Sequence, residues 1–211
     1  MESLDSRSLR YVDCYAQKFS TPGTYYYQIS RGLGLCLGPD KENAFSISVK
    51  ARNGRMAAQG RQHNIAVVPR GNGLSAEPAH IEIEVGDTVM WHASDTSLTG
   101  YVVRGEGEGQ VFDSSALSND AVYTHAFGLP GEYKWVDAQH GRVGGIIIVR
   151  SPEATSSDHC REWLAALSQG AAVVIEGDQV KPGRVEILTG QTVFWAVRKA
   201  DGISITDARL V

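Results

Sequence analysis

The feature that most constrains this chain is an internal repeat that runs out of phase with the chain ends. Leu4-Asp5-Ser6 returns as Phe112-Asp113-Ser114, and Leu9, Tyr15, Phe19, Pro22-Gly23 and Tyr25 return as Leu117, Tyr123, Phe127, Pro130-Gly131 and Tyr133. Each pair is spaced as Pro22 is from Pro130, 108 positions, without a gap. A second set follows: Pro78, Glu82-Ile83, Gly86, Thr88-Val89 and Trp91 return as Pro182, Glu186-Ile187, Gly190, Thr192-Val193 and Trp195, 104 positions on. The unit is near the size of one small β-sandwich.

The phase then matters. Residues 1–50 carry the second half of the unit, 64–150 a whole copy, and 171–211 the first half. Half a sandwich cannot cover its own apolar face and leaves strand edges unpaired. The expectation is therefore a complete domain over 64–150 and a second domain assembled from 1–50 plus 171–211, with 151–170 as a helical linker. The ends can meet within one chain, the arrangement favoured by the usual closeness of termini, or between chains as a swapped dimer or filament. A third arrangement is an excerpt of a longer array whose neighbours complete the halves.

Local patterns read as β structure. His80–Val85 alternates apolar and polar residues, Gly86-Asp87 signals a turn, and Thr88–Trp91 resumes the sheet. Pro130-Gly131 turns into 132–136, and Gly144-Gly145 precedes the β-prone Ile146-Ile147-Ile148-Val149. One segment breaks the pattern. Ser157 or Asp158 can cap a helix whose Cys160, Trp163, Leu164 and Leu167 share a face, with Gly170 as its stop.

Composition narrows the function classes. A formal net charge of −4 gives no reason to expect nucleic acid. The short basic run Lys50, Arg52, Arg55 and Arg61 reads as a solvated loop. No apolar run is long enough to span a bilayer. If Met1 is the native start, the absence of a leader pattern in Met1–Asp5 points to the cytoplasm; a removed signal would make it periplasmic or extracellular. Cys14, Cys36 and Cys160 are odd in number and lack CxxC spacing, so they read as buried structural thiols.

The whole copy resembles the cupredoxins. Gly86-Asp87-Thr88-Val89-Met90-Trp91 is similar to that family's Gly-Asp-Thr-Val-x-Trp strand. Phe127-Gly128-Leu129-Pro130-Gly131-Glu132-Tyr133-Lys134-Trp135 is similar to its Phe-x-x-Pro-Gly-x-Tyr-x-Tyr hairpin. His140 followed by Gly144–Val149 resembles the loop and last strand that carry copper. The resemblance implies an all-β fold of tandem Greek-key sandwiches, with one short connecting helix.

A blue-copper centre needs two imidazoles, a thiolate and a weak axial thioether. By resemblance, the first His falls near Gly100, between Thr99 and Tyr101, the Cys at Asp137, the second His at His140 and the Met at Val143. One ligand of four remains. In the split copy the Cys position is Ile29, the second His Gly32, and the first His near Ile203 or Ser204; Cys36 lies too far along the loop. Larger multicopper relatives use His-x-His pairs, and none occurs among His63, His80, His92, His125, His140 and His159.

Other groups weigh as follows. His140 with Asp137 reads either as a remodelled Zn or Cu(II) site, with His92 or Asp95 as third ligand, or as a hydrogen bond that holds a degenerate loop. His125, with Gln17 as its counterpart, reads as a partly buried, satisfied hydrogen-bonding group rather than a ligand. Asp5-Ser6 and Asp113-Ser114 suit capped turns. Gly105, Gly107 and Gly109, with Glu106 and Glu108 between them, read as a flexible acidic loop without the context of a phosphate site. The functional expectation is a copper-free structural or binding module without enzymatic activity. Protein partners or self-association through complementary half domains would serve it, and no cofactor. The alternative is a metalloprotein or oxidoreductase component with a non-blue site at His140 and Asp137.

Overall fold

The computed structural model describes residues 3–32, 44–52, 60–153 and 156–211. Cys36 and Arg55 lie outside them. Nine strands precede Ser114: β1 (Asp13–Lys18), β2 (Gly23–Arg31), β3 (Phe45–Lys50), β4 (Gln62–Arg70), β5 (Gly73–Glu77), β6 (His80–Glu84), β7 (Thr88–Ala93), β8 (Tyr101–Gly107) and β9 (Gln110–Asp113). Eight follow: β10 (Ala121–Ala126), β11 (Gly131–Asp137), β12 (Gly144–Arg150), β13 (Ala171–Glu176), β14 (Gln179–Lys181), β15 (Arg184–Leu188), β16 (Thr192–Arg198) and β17 (Ile205–Asp207). Helix α1 (Ser157–Leu167) separates β12 from β13. The fold is all-β. Among the described residues no helix is long and apolar enough to cross a membrane.

The strands form three sheets. An eight-stranded sheet runs β14-β13-β16-β10-β1-β7-β4-β5, and smaller sheets run β6-β3-β2-β8-β9 and β15-β12-β11-β17. Strand periodicity shows which face is covered. In β7, Val89, Trp91 and Ala93 are buried while Thr88, Met90 and His92 are half-buried on the other face. Trp91 meets Tyr27 and Phe112 of the five-stranded sheet at ring-centroid distances of 5.4 and 5.6 Å. Trp195 meets Trp135 of the four-stranded sheet at 6.0 Å. The large sheet thus backs two sandwich-like cores side by side. Its middle is the antiparallel pair β1 and β10, where Tyr15 faces Tyr123, flanked by Trp91 and Trp195.

Strand pairing corrects the expected domain grouping. The strands of residues 1–50 pair with those of 62–113, β1 with β7, β2 with β8 and β3 with β6, while β1 also pairs with β10 across the division. The strands of 171–211 pair with β10, β11 and β12. The segment 64–150 is therefore divided between two sandwiches near Ser114. Every half finds its complement in the same chain, but the complement is the adjacent half rather than the distant end.

The ends do share one edge. Ser6 N–H donates to the Ile205 carbonyl at 2.8 Å, Ile205 N–H to Ser6 Oγ at 3.0 Å, and Asp207 N–H to the Leu4 carbonyl at 2.9 Å. On the other side Ser114 N–H donates to the Val103 carbonyl at 2.9 Å, and Val103 N–H to Ser114 Oγ at 3.1 Å. Three residues later the chain changes sides: Leu9 exchanges backbone bonds with Tyr101, and Leu117 with Ile203. Each Asp-Ser segment therefore edges one sandwich and leads into the other. The aspartates make Asx-turns, Asp5 Oδ1 accepting from Arg7 N–H and Asp113 Oδ1 from Ser115 N–H.

The helix is capped by Ser156, one residue before the expected cap, its Oγ accepting from His159 N–H at 3.2 Å. Its stripe is narrower than expected, since Leu164 is 60% exposed. Trp163 Nε1 donates to the Thr189 carbonyl, and Gln191 Nε2 to the last-turn Ala166 carbonyl. Gly170 lies beyond the C-cap Ser168, where close approach of the Phe194 ring leaves no room for a Cβ.

Candidate functional site

The loop between β11 and β12 holds the positions that the resemblance gives to copper. Asp137 ends β11, 1% exposed. A buried carboxylate is costly unless hydrogen-bonded, and this one is. Its Oδ1 accepts from the backbone N–H of Gln139 at 3.1 Å and of Ser204 at 3.0 Å, and its Oδ2 from that of His140 at 3.2 Å. The His140 ring is partly exposed, with Nδ1 3.4 Å from Asp137 Oδ2. Val143 is buried beneath, its carbonyl accepting from Asp137 N–H at 2.8 Å. The site is a carboxylate clamp between two chain segments.

The corrected grouping also regroups the ligand positions. Asp137, His140 and Val143 lie with Ser204, not with Gly100. In the N-terminal sandwich Gly32 N–H donates to the Gly100 carbonyl at 2.6 Å, so those positions meet instead. Neither set suits blue copper, because no thiolate, thioether or second imidazole is present in it. The remodelled site fails on its third ligand. His92 lies on β7, its Nδ1 3.3 Å from the Ala93 carbonyl, and Asp95 is an exposed turn residue accepting from Ser97 N–H. Among the described residues no three His, Cys, Asp or Glu side chains group so as to hold a metal.

A second polar group lies at the junction of the sandwiches. Asp13 and His125 are both fully buried and face each other across β1 and β10. Asp13 Oδ1 lies 2.6 Å from His125 Nδ1 and accepts from the Tyr123 hydroxyl at 2.7 Å; Oδ2 accepts from Arg10 N–H at 2.8 Å. Burial, then the Asp13 charge, push the Tyr123 phenol far above its ordinary range. At the other end of the same strand pair Gln17 accepts from the Tyr15 hydroxyl and donates to the Lys18 and Asn119 carbonyls. His125 thus sits in a hydrogen-bonded structural cluster. Its partner Asp13 had no signal in the sequence, since one acidic residue in an apolar strand has no local pattern.

Within the basic run Lys50 and Arg61 are exposed, as expected, but Arg52 is mostly buried. Arg52 pairs with Glu84 and Asp87, Lys50 with Glu82, and Arg61 donates its backbone N–H to Asp87. Burial would raise the Asp87 pKa, but the N–H groups of Arg61 and Glu84 and the His63 ring hold it down to about 2. The acidic glycine segment is not a flexible loop. Gly105 and Gly107 lie within β8, where a Cβ would approach the Tyr26 and Thr24 carbonyl oxygens to 2.6 Å, and Glu108-Gly109 turn into β9 with positive φ.

No family model, curated protein or solved structure matches this chain.

Proposed function

We propose that this protein is a copper-free, cupredoxin-like structural or binding module without catalytic activity. The observation that supports it is Asp137. Where the resemblance asks for a copper thiolate, a buried carboxylate spends both oxygens on three backbone N–H groups. Such a group ties the loop to Ser204 and stiffens the rim of the C-terminal sandwich, a role suited to presenting a surface to a protein partner. Fold alone assigns no activity, and the described residues of the Asp137 loop bring together no nucleophile and base of the kind acyl or phosphoryl transfer needs.

Adding Cu(II) to the full-length protein is expected to give no thiolate-to-copper absorption that depends on His140, and Asp137→Ala to lower stability without changing metal content. Stoichiometric metal in the purified protein that disappears in His140→Ala would overturn the reading. Completion of each sandwich within the chain also leads us to expect a monomer by light scattering at all concentrations.

A further inference from the structure

The outer face of the eight-stranded sheet is covered by neither small sheet. Near its centre lies a concavity of about 550 Å³ whose lining includes Cys14, Met90, His92, Thr124 and Phe194. Cys14 on β1 lies directly opposite His92 on β7, and Met90 precedes His92 by one same-face step. Residues opposite each other on one face bring their Cβ atoms to roughly 5 Å, and a long side chain reaches the diagonal neighbour. A thiol, a thioether and an imidazole therefore line one partly desolvated patch, where the thiol also hydrogen-bonds Thr124.

The repeat supplies an internal control. The equivalent positions on the C-terminal half of the same face are Val122, Phe194 and Ala196, in the same register across β10 and β16. None of these carries a donor. The same sheet position thus carries three donors on one half and none on the other, while inward-facing neighbours such as Tyr15 and Tyr123, or Trp91 and Trp195, are unchanged.

We propose that Cys14, Met90 and His92 form a binding site for one soft monovalent cation, of the Cu(I) or Ag(I) class. Two sulfurs and one imidazole match the ligand preference of such ions, and low coordination suits a nearly flat sheet surface. The Nδ1 of His92 lies 3.3 Å from the Ala93 carbonyl, so the tautomer that donates there leaves the Nε2 lone pair for the ion. Met90 Sδ accepts a weak hydrogen bond from Gln62 at 3.6 Å, which the ion would replace. Binding exchanges the thiol proton of Cys14 for the ion, with no change of oxidation state and release of one proton to solvent. This site is separate from the Asp137 loop.

The test is titration of the full-length, reduced protein with Ag(I), and with Cu(I) under anaerobic conditions, alongside Cys36→Ser, Cys160→Ser and His140→Ala controls. The expected result is one ion per chain, unaffected by the controls and abolished in Cys14→Ser. His92→Ala and Met90→Leu should each weaken binding at least on the order of tenfold, the loss seen even for groups that only orient a ligand. X-ray absorption of the Cu(I) form should show mixed sulfur and imidazole scattering. Binding that survives in folded Cys14→Ser, or a scattering shell unchanged in His92→Ala, would overturn the proposal. Loss of the ion in His140→Ala would overturn it too, and the reading of the Asp137 loop with it.

Discussion

Asp87 in the N-terminal sandwich and Gln191 in the C-terminal one stand 104 residues apart at the same place, the turn before the strand that carries the central tryptophan. Both are buried or half-buried and both close that turn, Asp87 Oδ2 accepting from Glu84 N–H and Gln191 Oε1 from Leu188 N–H. Their remaining polar groups go different ways. Asp87 gathers Arg52, Arg61 and His63. Gln191 donates to the Ala166 and Gln169 carbonyls at the C-terminal end of α1. One position thus anchors a charged loop in one sandwich and a helix in the other. Equivalent strands keep their inward residues because the cores need the same volume, while the edges take whatever element lies alongside.

The strongest way to break this comparison is through the exchanged edges. Phe112→Ala removes a fully buried ring stacked on Trp91 and should cost about 3–5 kcal/mol. Leu4→Ala should cost about 2–4 kcal/mol but loosen the other sandwich. Amide exchange reads this out: Leu4→Ala should raise exchange at Ile205 and Asp207 and spare Val103, and Phe112→Ala the reverse. Faster exchange at Val103 in Leu4→Ala would show that the edges are not exchanged.

A smaller effect separates the two ends of the β1–β10 junction. Asp13→Ala withdraws the acceptor shared by Tyr123, His125 and Arg10 and should cost about 3 kcal/mol by chemical denaturation. Gln17→Ala, at the opposite end, removes neutral bonds and should cost about 1–2 kcal/mol. Equal costs would mean that the charge at Asp13 adds nothing.

The smallest effect depends on pH. With its folded pKa held near 2, below the unfolded value of about 3.9, Asp87 contributes stability that is fully present above pH 4. That contribution is lost as pH falls through about 2. Gln191 does not titrate, so the C-terminal turn should show no matching change. Between pH 5 and pH 2 the amides of Glu84 and Arg61 should lose protection while that of Leu188 does not. Asp87→Asn should cost about 1–2 kcal/mol at neutral pH and remove this acid sensitivity. Unchanged acid sensitivity in Asp87→Asn would place its origin elsewhere.

Much was readable before any coordinates. Alternation in His80–Val85, the Pro130-Gly131 turn and the isoleucine run of β12 are local signals, set by two-residue periodicity and by which residues tolerate tight turns. That Asp137 stands where the resemblance would put a copper thiolate was readable from motif order alone. Its tie to the second chain segment was not, since one of its three donors is Ser204, 67 residues away. Asp13 and the outer-face trio Cys14, Met90 and His92 were missed for the same reason. Their meaning lies in cross-strand neighbours, and neighbours are set by pairing.

The amino-acid sequence by itself determined an all-β chain, a repeating unit of about a hundred residues, and the location of its turns and buried aromatics. Only the tertiary structure decided where one sandwich stops and the next begins. A repeat read along a chain is defined only up to circular permutation, so half-whole-half and two adjacent permuted units share one pattern. Hydrogen bonds between strand edges break that tie. β2 and β3 pair with β8 and β6, β11 and β12 with β17 and β15, and the cut falls near Ser114 rather than at the ends of the whole copy.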